Sequence, residues 1–256
     1  MLFDSIIYGP IHSRRLGVSL GVNLMPTDHK LCSFDCVYCE IGWNTPISHP
    51  VLPARAEVAE ALETALQQLE QQPDVITFSG NGEPTLHPEF EGIIADTCAL
   101  RDKYCPKAKV SVLSNSTQVL REDVFRALKK CDNRIMKLDS GINRTMHLID
   151  RPVNHALTVE SIIERLQLFD GDFILQTCFV RGMVPDGKGQ TLIDNTTDEE
   201  ITAWYRAVDE MRPKQIMIYV IDRKTPCKTL EKISREKMEA IAAPLREKGY
   251  DVIVSA

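Results

Sequence analysis

The sequence predicts an α/β protein whose parallel strands curl into a partial (β/α)6 TIM-like barrel, with a C-terminal helix and an extra strand. Short apolar runs alternate with stretches of helical period, and each pair occupies the roughly 30 residues of a βαβ unit. Hydrophobic residues make up 43% and charged residues 26% of the 256 residues, as in globular proteins. A doubly wound open sheet built from the same elements is the alternative.

The first half of the chain begins with an apolar run at 17–23 that predicts a strand. A helix at 54–72 follows, because Val58, Leu62 and Leu66 recur on one of its faces while glutamates and glutamines occupy the other. β-branched and aromatic residues at 75–79 predict the second strand. The same two patterns predict, in order, a helix at 88–104, a strand at 109–113 and a helix at 119–130.

The second half continues this alternation of strands and helices. Thr197 and Glu200 form a capping box at the start of one predicted helix. Gly249 ends the last helix before the final strand. The predicted elements are strands at 134–138, 173–180, 215–221 and 250–254, and helices at 159–169, 198–211 and 234–248.

Residues 1–256 are expected to form a single domain, because no linker, repeat or low-complexity tract divides them. Two connections are long for this fold, residues 24–53 after the first strand and residues 181–197 after the fifth. Both leave the carboxyl ends of their strands, where parallel α/β folds build their sites. We therefore expect the first connection to carry the reactive group and the second to face the substrate.

Charge and hydropathy limit the classes of partner. Thirty Lys and Arg against 36 Asp and Glu give a net charge of −6, which argues against a general nucleic-acid coat. No apolar run approaches the ~18 residues that span a bilayer, and Asp4 stands where a secretory signal carries positive charge. A cytoplasmic protein without a membrane partner is expected. In that reducing compartment, the eight cysteines are metal ligands, catalytic groups or buried thiols rather than disulfides.

Three cysteines in the first long connection form the most informative motif. Three residues separate Cys32 from Cys36 and two separate Cys36 from Cys39. Cysteine thiolates bind the iron of iron-sulfur clusters, and a short loop with this spacing can hold three corners of a cubane. The fourth iron then stays open to a small molecule, as a catalytic zinc keeps an open position. The alternatives are a zinc knuckle in which His29 completes a Cys3His set, and three thiols that lie together by chance.

The placement and spacing of these cysteines resemble the radical S-adenosylmethionine superfamily, whose hallmark is Cys-x3-Cys-x2-Cys after the first strand of a partial barrel. The resemblance implies a [4Fe-4S] cluster on Cys32, Cys36 and Cys39 whose free iron chelates S-adenosylmethionine. An electron from a flavodoxin- or ferredoxin-type donor would cleave the sulfonium to methionine and a 5′-deoxyadenosyl radical, which abstracts hydrogen from the substrate. Tyr38 occupies the aromatic position that lies near the adenine in this family.

Other stretches match the superfamily where the topology predicts them. The turn Gly80-Asn81-Gly82-Glu83 corresponds to the family's turn that hydrogen-bonds the methionine amino group. Glycines allow close backbone approach, and a carboxylate accepts from an ammonium. An ordinary turn and polar residues that merely line the barrel are the alternatives at these positions. The resemblance implies further cofactor contacts at the ends of later strands, from Ser114, Asn115, Asp139, Gln176 and Val220. No catalytic residue is assigned from the sequence.

Three short sequence motifs make the chain look closest to uncharacterised relatives of the wyosine-tRNA synthases. They are Phe78-Ser-Gly-Asn-Gly-Glu-Pro84, Lys137-Leu-Asp139 and Asp222-Arg-Lys-Thr-Pro226. No cysteine precedes Cys32, so the second cluster of the archaeal enzymes is not expected, and their tRNA reaction is not carried over. The five later cysteines contain no Cys-x2-Cys pair, which argues against an auxiliary cluster. Cys178 and Cys227 are expected to be buried or idle, and a Cys227 that faces the cavity is the alternative.

Basic residues in the predicted loops favour an anionic small-molecule or RNA substrate, such as a nucleotide or a tRNA base. Solvated loop charges are the alternative interpretation. An activating enzyme for a glycyl-radical enzyme is a second candidate function, and a non-catalytic iron-sulfur or zinc-binding protein is a candidate from another class. The basic residues lie at His12, Arg14 and Arg15 and within residues 144–151, 181–188 and 223–228.

Overall fold

A computed structural model describes residues 2–13 and 15–256. Arg14, expected among the basic loop residues, lies outside the described residues. The chain divides into two compact units. The first, here the N-terminal unit, comprises the chain up to residue 33 together with 44–135, and the second, the C-terminal unit, comprises 34–43 with 136–256.

The N-terminal unit is a sheet with helices packed against it. Strand β1 is antiparallel to β2, whereas β2, β3 and β4 are parallel, with Leu20 beside Ile76 and Ile76 beside Val110. Its strands are β1 (Ile7–Ser13), β2 (Gly17–Val22), β3 (Val75–Phe78), β4 (Lys109–Ser114) and the start of β5 (Asn133–Lys137). Its helices are α1 (Arg55–Gln68), α2 (Phe90–Tyr104) and α3 (Glu122–Lys130).

The core of this unit forms because its central strand is apolar throughout. All four residues of β3 are buried, as the near-continuous apolar run of a parallel strand predicts. The predicted face of α1, with Val58, Leu62 and Leu66, is buried, and the rings of Phe78 and Phe90 meet edge to face at 6.3 Å. Burying a side chain of this size contributes about 1.5–3 kcal/mol.

The C-terminal unit repeats the pattern. Strand β6 is parallel to β8, and β8 is parallel to β10, so Gln176 lies beside Met217 and Ile216 beside Val252. Its strands are the end of β5, β6 (Ile174–Pro185), β7 (Gln190–Asp194), β8 (Gln215–Val220), β9 (Leu230–Lys232) and β10 (Val252–Ser255). Its helices are α4 (Asn143–Asp150), α5 (Val159–Gln167), α6 (Asp198–Met211) and α7 (Arg235–Glu247).

The expected loop at 181–197 is largely a β-hairpin. Strand β6 continues to Pro185 and pairs antiparallel with β7, and β9 pairs with the same part of β6. Burial alternates along 181–185, with Gly182 and Val184 inside and Arg181 outside. Gly182 and Pro185 resemble loop residues in the sequence, which hid this half-buried alternation. The other long connection, 24–53, contains isolated bridges but no helix or strand, as expected, and the structure describes all of its residues.

Three further elements were not expected from the sequence. Strand β1 precedes the first predicted strand, α4 overlaps the expected basic loop at 144–151, and β9 follows the strand predicted at 215–221. Among the helices of residues 2–13 and 15–256, none combines the length and apolar character needed to cross a bilayer.

The predicted capping box at α6 is half present. Thr197 caps the helix by accepting from the backbone N–H of Glu200 at 3.4 Å. The carboxylate of Glu200 instead accepts from Ser140 Oγ at 2.7 Å and Thr145 Oγ1 at 2.5 Å. The carboxylate is buried beside these two hydroxyls, and bonds to both replace the single bond to the backbone N–H of Thr197 that a capping box would provide.

Candidate functional site

The glycine turn after β3 lies directly against the segment that leads to the first cysteine. Gly80 and Gly82 have φ of +133° and +155°, and a Cβ on Gly82 would overlap the carbonyl oxygen of Leu31. The backbone N–H of Leu31 donates to Asn81 O at 2.9 Å, and that of Glu83 donates to Leu31 O at 3.2 Å. Glycine is therefore required here for the close approach of two backbone segments.

The side chain of Asn81 organises this turn from the inside. It is fully buried, and its Nδ2 donates to Phe3 O at 2.7 Å and Pro26 O at 2.8 Å. Its Oδ1 accepts from the N–H of Phe3 at 2.8 Å, and its own N–H donates to Asn23 Oδ1 at 3.0 Å. These bonds give Asn81 a structural role in joining three chain segments.

Glu83 is a buried carboxylate that gathers donors from two neighbouring strand ends. Ser114 Oγ donates to it at 2.8 Å and the N–H of Asn115 at 2.7 Å. The hydroxyl and N–H of Thr85 donate at 2.5 and 3.2 Å. Burial raises the pKa of Glu83, and the bonds from Asn115, Thr85 and Ser114 oppose this rise. The carboxylate thus fixes the end of β4 to the turn after β3.

Asn115 connects this network to the first cysteine. Its Nδ2 donates to Ser33 Oγ at 2.8 Å and lies 3.6 Å from Cys32 Sγ, and its Oδ1 accepts from Thr117 Oγ1 at 2.8 Å. The amide of Asn44 donates to the carbonyl of Cys32 at 3.1 Å. Both the backbone and the sulfur of Cys32 are therefore positioned by amide groups.

In the C-terminal unit, the other two cysteines lie in a bend held by helix α4. The N–H of Cys39 donates to the carbonyl of Cys36 at 3.1 Å, and that of Val37 donates to Ile149 O at 2.9 Å. Carbonyls at the end of a helix lack partners within it, so the bend satisfies part of α4. From the segment between β8 and β9, the N–H of Cys227 donates to Val37 O at 3.3 Å. The Cys227 side chain is buried, as expected.

A largely buried lysine lies beside the middle cysteine. Lys137 Nζ lies 2.9 Å from Cys36 Sγ, 2.9 Å from Asp139 Oδ2 and 2.7 Å from Asp150 Oδ1. It also lies 4.6 Å from the centre of the Tyr38 ring. Burial alone would lower the pKa of Lys137, but the charges of Asp139, Asp150 and Cys36 together raise it well above its usual range.

Tyr38 and Asp139, both predicted to bind the cofactor, contact each other. The Tyr38 hydroxyl donates to Asp139 Oδ2, and burial, followed by the charge of Asp139, raises the pKa of Tyr38 well above its usual range. Asp139 Oδ1 accepts from the N–H of Cys178 at 2.8 Å. Asn195 Nδ2 donates to the carbonyl of Asp139 at 2.8 Å. Asp139 is 1% exposed. Because these bonds hold Asp139 in place, its bond to the hydroxyl fixes the position of the Tyr38 ring.

Gln176 and Val220 occupy the two remaining predicted positions. Gln176 lies on β6 beside Met217, and Val220 ends β8 beside Phe179. Both side chains are buried.

Sequence reasoning assigned no role to Lys137, Asp150 or Asn195, although the structure makes them central to the C-terminal part of the site. Side chains two apart on a strand share a face, so the Lys137-Leu-Asp139 spacing carried the signal for the first of these. Asp150 and Asn195 reach the site through tertiary packing.

The donor set fits an iron-sulfur cluster in its chemistry. None of the eight cysteines forms a disulfide. Cys32 and Cys36 each have an N–H donor directed at sulfur, from Asn115 and Lys137, and hydrogen bonds to sulfur tune such clusters. Across residues 2–13 and 15–256, no three His, Cys, Asp or Glu side chains are already gathered as metal ligands. The zinc alternative relies on His29, whose Nδ1 lies 2.6 Å from Asp28 Oδ1.

Comparison with known proteins gives one family and several relatives. A sequence model of the Radical SAM superfamily matches residues 29–187. The chain is 28% identical over 238 residues to a protein of Brachyspira hyodysenteriae named GTPase Obg, covering 91% of this chain and 32% of that protein. It is 30% identical over 191 residues to a UPF0026 protein of Helicobacter pylori, covering 73% of this chain and 60% of the relative. The chain therefore spans less than two thirds of either relative.

Solved structures confirm the predicted fold class. Streptococcus suis SuiB bound to S-adenosylmethionine aligns with a TM-score of 0.65 at 11% identity, covering 92% of this chain and 50% of SuiB. TYW1 with a lysine-pyruvate adduct bound aligns with a TM-score of 0.61 at 15% identity, covering 90% of this chain and 73% of TYW1. The α/β fold with a partial barrel, rather than a doubly wound open sheet, is the fold of this chain.

Proposed function

Because the chain belongs to the Radical SAM superfamily, we propose that Cys32, Cys36 and Cys39 bind the [4Fe-4S] cluster that enzymes of this family use with S-adenosylmethionine. The observation that carries the proposal is that the cysteine motif lies within the matched region, with N–H donors already directed at two of its sulfurs. When bound, the cluster supplies the electron that cleaves S-adenosylmethionine to methionine and a 5′-deoxyadenosyl radical, which abstracts hydrogen from the substrate.

The residues around the motif would orient these groups. Asn115 and Asn44 hold Cys32, and Lys137 holds Cys36, so the sulfurs are positioned before iron binds. The backbone of the turn at residues 80–83 would hold the methionine part of the cofactor. Ser114, Asn115, Asp139, Gln176 and Val220 complete the proposed cofactor-binding set. The ring of Tyr38, fixed by Asp139, would provide an apolar surface for the adenine.

Elemental analysis tests the cluster ligands directly. We expect anaerobically reconstituted protein to hold about four irons and about four sulfides per chain. Cys32→Ala, Cys36→Ala and Cys39→Ala should each lose most of the iron. Cys98→Ala, at a partly buried position outside the motif, is the matched control and should keep it. Zinc in place of iron, or full iron in the three motif variants, would contradict the proposal.

The substrate is proposed to be anionic, a nucleotide or RNA. Arg151, Arg181, Arg223, Lys224 and Lys228 all belong to the C-terminal unit, and the last four are exposed. Arginine binds phosphate and carboxylate through paired N–H donors, and exposed cations attract anions over distances near the Debye length. A basic set on a chain of net charge −6 favours an acidic substrate over an apolar one.

Substrate-dependent formation of 5′-deoxyadenosine tests this choice. Nucleotide mixtures and bulk tRNA should increase it, and added salt should weaken the effect as it screens exposed charges. Lys224→Gln together with Lys228→Gln should reduce the increase, whereas Lys248→Gln, on an exposed lysine at the end of α7 that is paired with Asp209, should not. Stimulation by an apolar substrate alone, independent of salt, would contradict it.

The electron donor is proposed to be a flavodoxin or a ferredoxin, because radical SAM enzymes need a reductant. Replacing dithionite with a reduced flavodoxin or ferredoxin should sustain formation of 5′-deoxyadenosine. A protein that is active with dithionite but with neither type of donor would contradict this part of the proposal.

A further inference from the structure

Lys137 donates a hydrogen bond to a cysteine sulfur and forms ion pairs with two carboxylates. A lysine ammonium carries three N–H donors, and here Cys36 Sγ, Asp139 Oδ2 and Asp150 Oδ1 lie within 2.9 Å of Nζ. Lys137 is the last residue of β5, and Asp139 follows two residues later with its carboxylate against the ammonium. The hydrogen bond to Cys36 Sγ and the two ion pairs therefore hold the ammonium in place.

Water is largely excluded from this ammonium. The Lys137 side chain is 13% exposed, and the rings of Phe34 and Tyr38 lie 5.5 and 4.6 Å from Nζ. A charge acts more strongly on its neighbours in such an environment than in water. One of the two carboxylates alone would balance the single charge of the ammonium, so the contact with sulfur needs a separate explanation.

We infer that Lys137 is a positioning residue that orients Cys36 Sγ and places a positive charge against the iron-sulfur cluster, so that it raises the cluster's reduction potential. The inference rests on the proposed cluster and goes beyond it, because it assigns a tuning function to a residue outside the ligand set. Hydrogen bonds to the sulfurs and nearby charge set the potentials of such clusters. A fixed ammonium favours the reduced state, which carries one more negative charge.

The test is an EPR-monitored redox titration of the reconstituted protein without S-adenosylmethionine. We expect Lys137→Met and Lys137→Gln to have a more negative midpoint potential than the wild type. Lys137→Arg keeps the charge and should restore most of the shift. Lys129→Met, on an exposed lysine of α3, should leave the potential unchanged.

A second variant guards against a folding defect. Lys137→Met leaves two buried carboxylates without their cation, which is strongly destabilising. Lys137→Met with Asp150→Asn removes one carboxylate together with the ammonium and should fold better while keeping the negative shift. Loss of iron from both of these variants, with iron retained by Lys137→Arg, also supports the positioning role.

Two results would overturn the inference. The first is a wild-type midpoint potential in Lys137→Met at full iron content. The second is weaker binding of S-adenosylmethionine with no change in the potential measured without it, which would assign Lys137 to the cofactor and not to Cys36. Failure of the proposed function is distinguishable, because wild-type protein would then bind no cluster at all.

Discussion

The carboxylate of Glu83 accepts a hydrogen bond of 2.7 Å from the backbone N–H of Asn115. This bond joins the turn after β3 to the end of β4. The side chain of Asn115 in turn approaches Cys32 Sγ. Glu83 therefore acts on the first cysteine through Asn115, and its own oxygens are filled by donors from the protein. Predicted from the sequence as a partner for the methionine ammonium, Glu83 has in addition a structural role.

Replacing Glu83 by Ala should destabilise the fold. The change leaves the hydroxyl of Ser114 and the N–H of Asn115 buried without their acceptor, at a cost of about 1–3 kcal/mol for each group. Urea denaturation should show a loss of about 3 kcal/mol in the free energy of unfolding. Glu60→Ala, on an exposed face of α1, is the control and should change little. Equal stability of the two variants would show that the network adds nothing.

The stability of the protein should depend on pH through Glu83. Burial raises its pKa above the usual 4.5, so the folded state binds a proton more tightly than the unfolded state. The protonated Glu83 therefore adds to the free energy of unfolding below about pH 4.5, and this stabilisation is lost as the pH rises through the raised pKa. The wild type should therefore lose stability relative to Glu83→Gln as the pH increases across that range. Denaturation at several pH values checks this, and a constant difference would count against it.

Gly82→Ala should be far more damaging than an alanine at another glycine of positive φ. The new Cβ would collide with the carbonyl oxygen of Leu31. Gly187, with φ of +82°, has no heavy atom within 4 Å of its Cβ position and is the matched control. Gly187→Ala should cost about 1 kcal/mol for its backbone conformation, and Gly82→Ala at least twice that. Thermal denaturation and iron content measure the two effects, and similar losses in both variants would refute the argument.

Asn195→Ala should weaken the C-terminal unit. The Asn195 amide donates to the carbonyls of Asp139 and Cys178 at 2.8 Å and accepts from the N–H of Val180 at 2.8 Å. Losing these buried bonds should lower the free energy of unfolding by about 3 kcal/mol. Asn154→Ala, on an exposed residue, serves as the control. A loss below about 1 kcal/mol would mean that water replaces the amide.

Much of the fold could be predicted because its buried strands are short runs of apolar residues in the sequence. The run at 75–79 corresponds to β3 at Val75–Phe78, and the predicted helix at 198–211 matches α6. The cysteine motif and the glycine turn were visible because their chemistry depends on local spacing. Both kinds of signal are carried by residues close together in the chain.

The parts that could not be predicted depend on contacts between distant residues. Strand β7 is stabilised by pairing with the end of β6, and Ile193 is the one residue of its five that is buried. Asp150 joins the site only because the end of α4 packs beside Lys137. Glu200 leaves its predicted cap for the hydroxyls of Ser140 and Thr145. In each case tertiary packing outweighs the local pattern.

Formation of 5′-deoxyadenosine decides whether this protein carries out the proposed radical chemistry. Anaerobically reconstituted protein, given S-adenosylmethionine and dithionite, should release 5′-deoxyadenosine and methionine, and the Cys36→Ala variant should release neither. A wild-type protein that holds about four irons per chain and yet releases no 5′-deoxyadenosine would contradict the account.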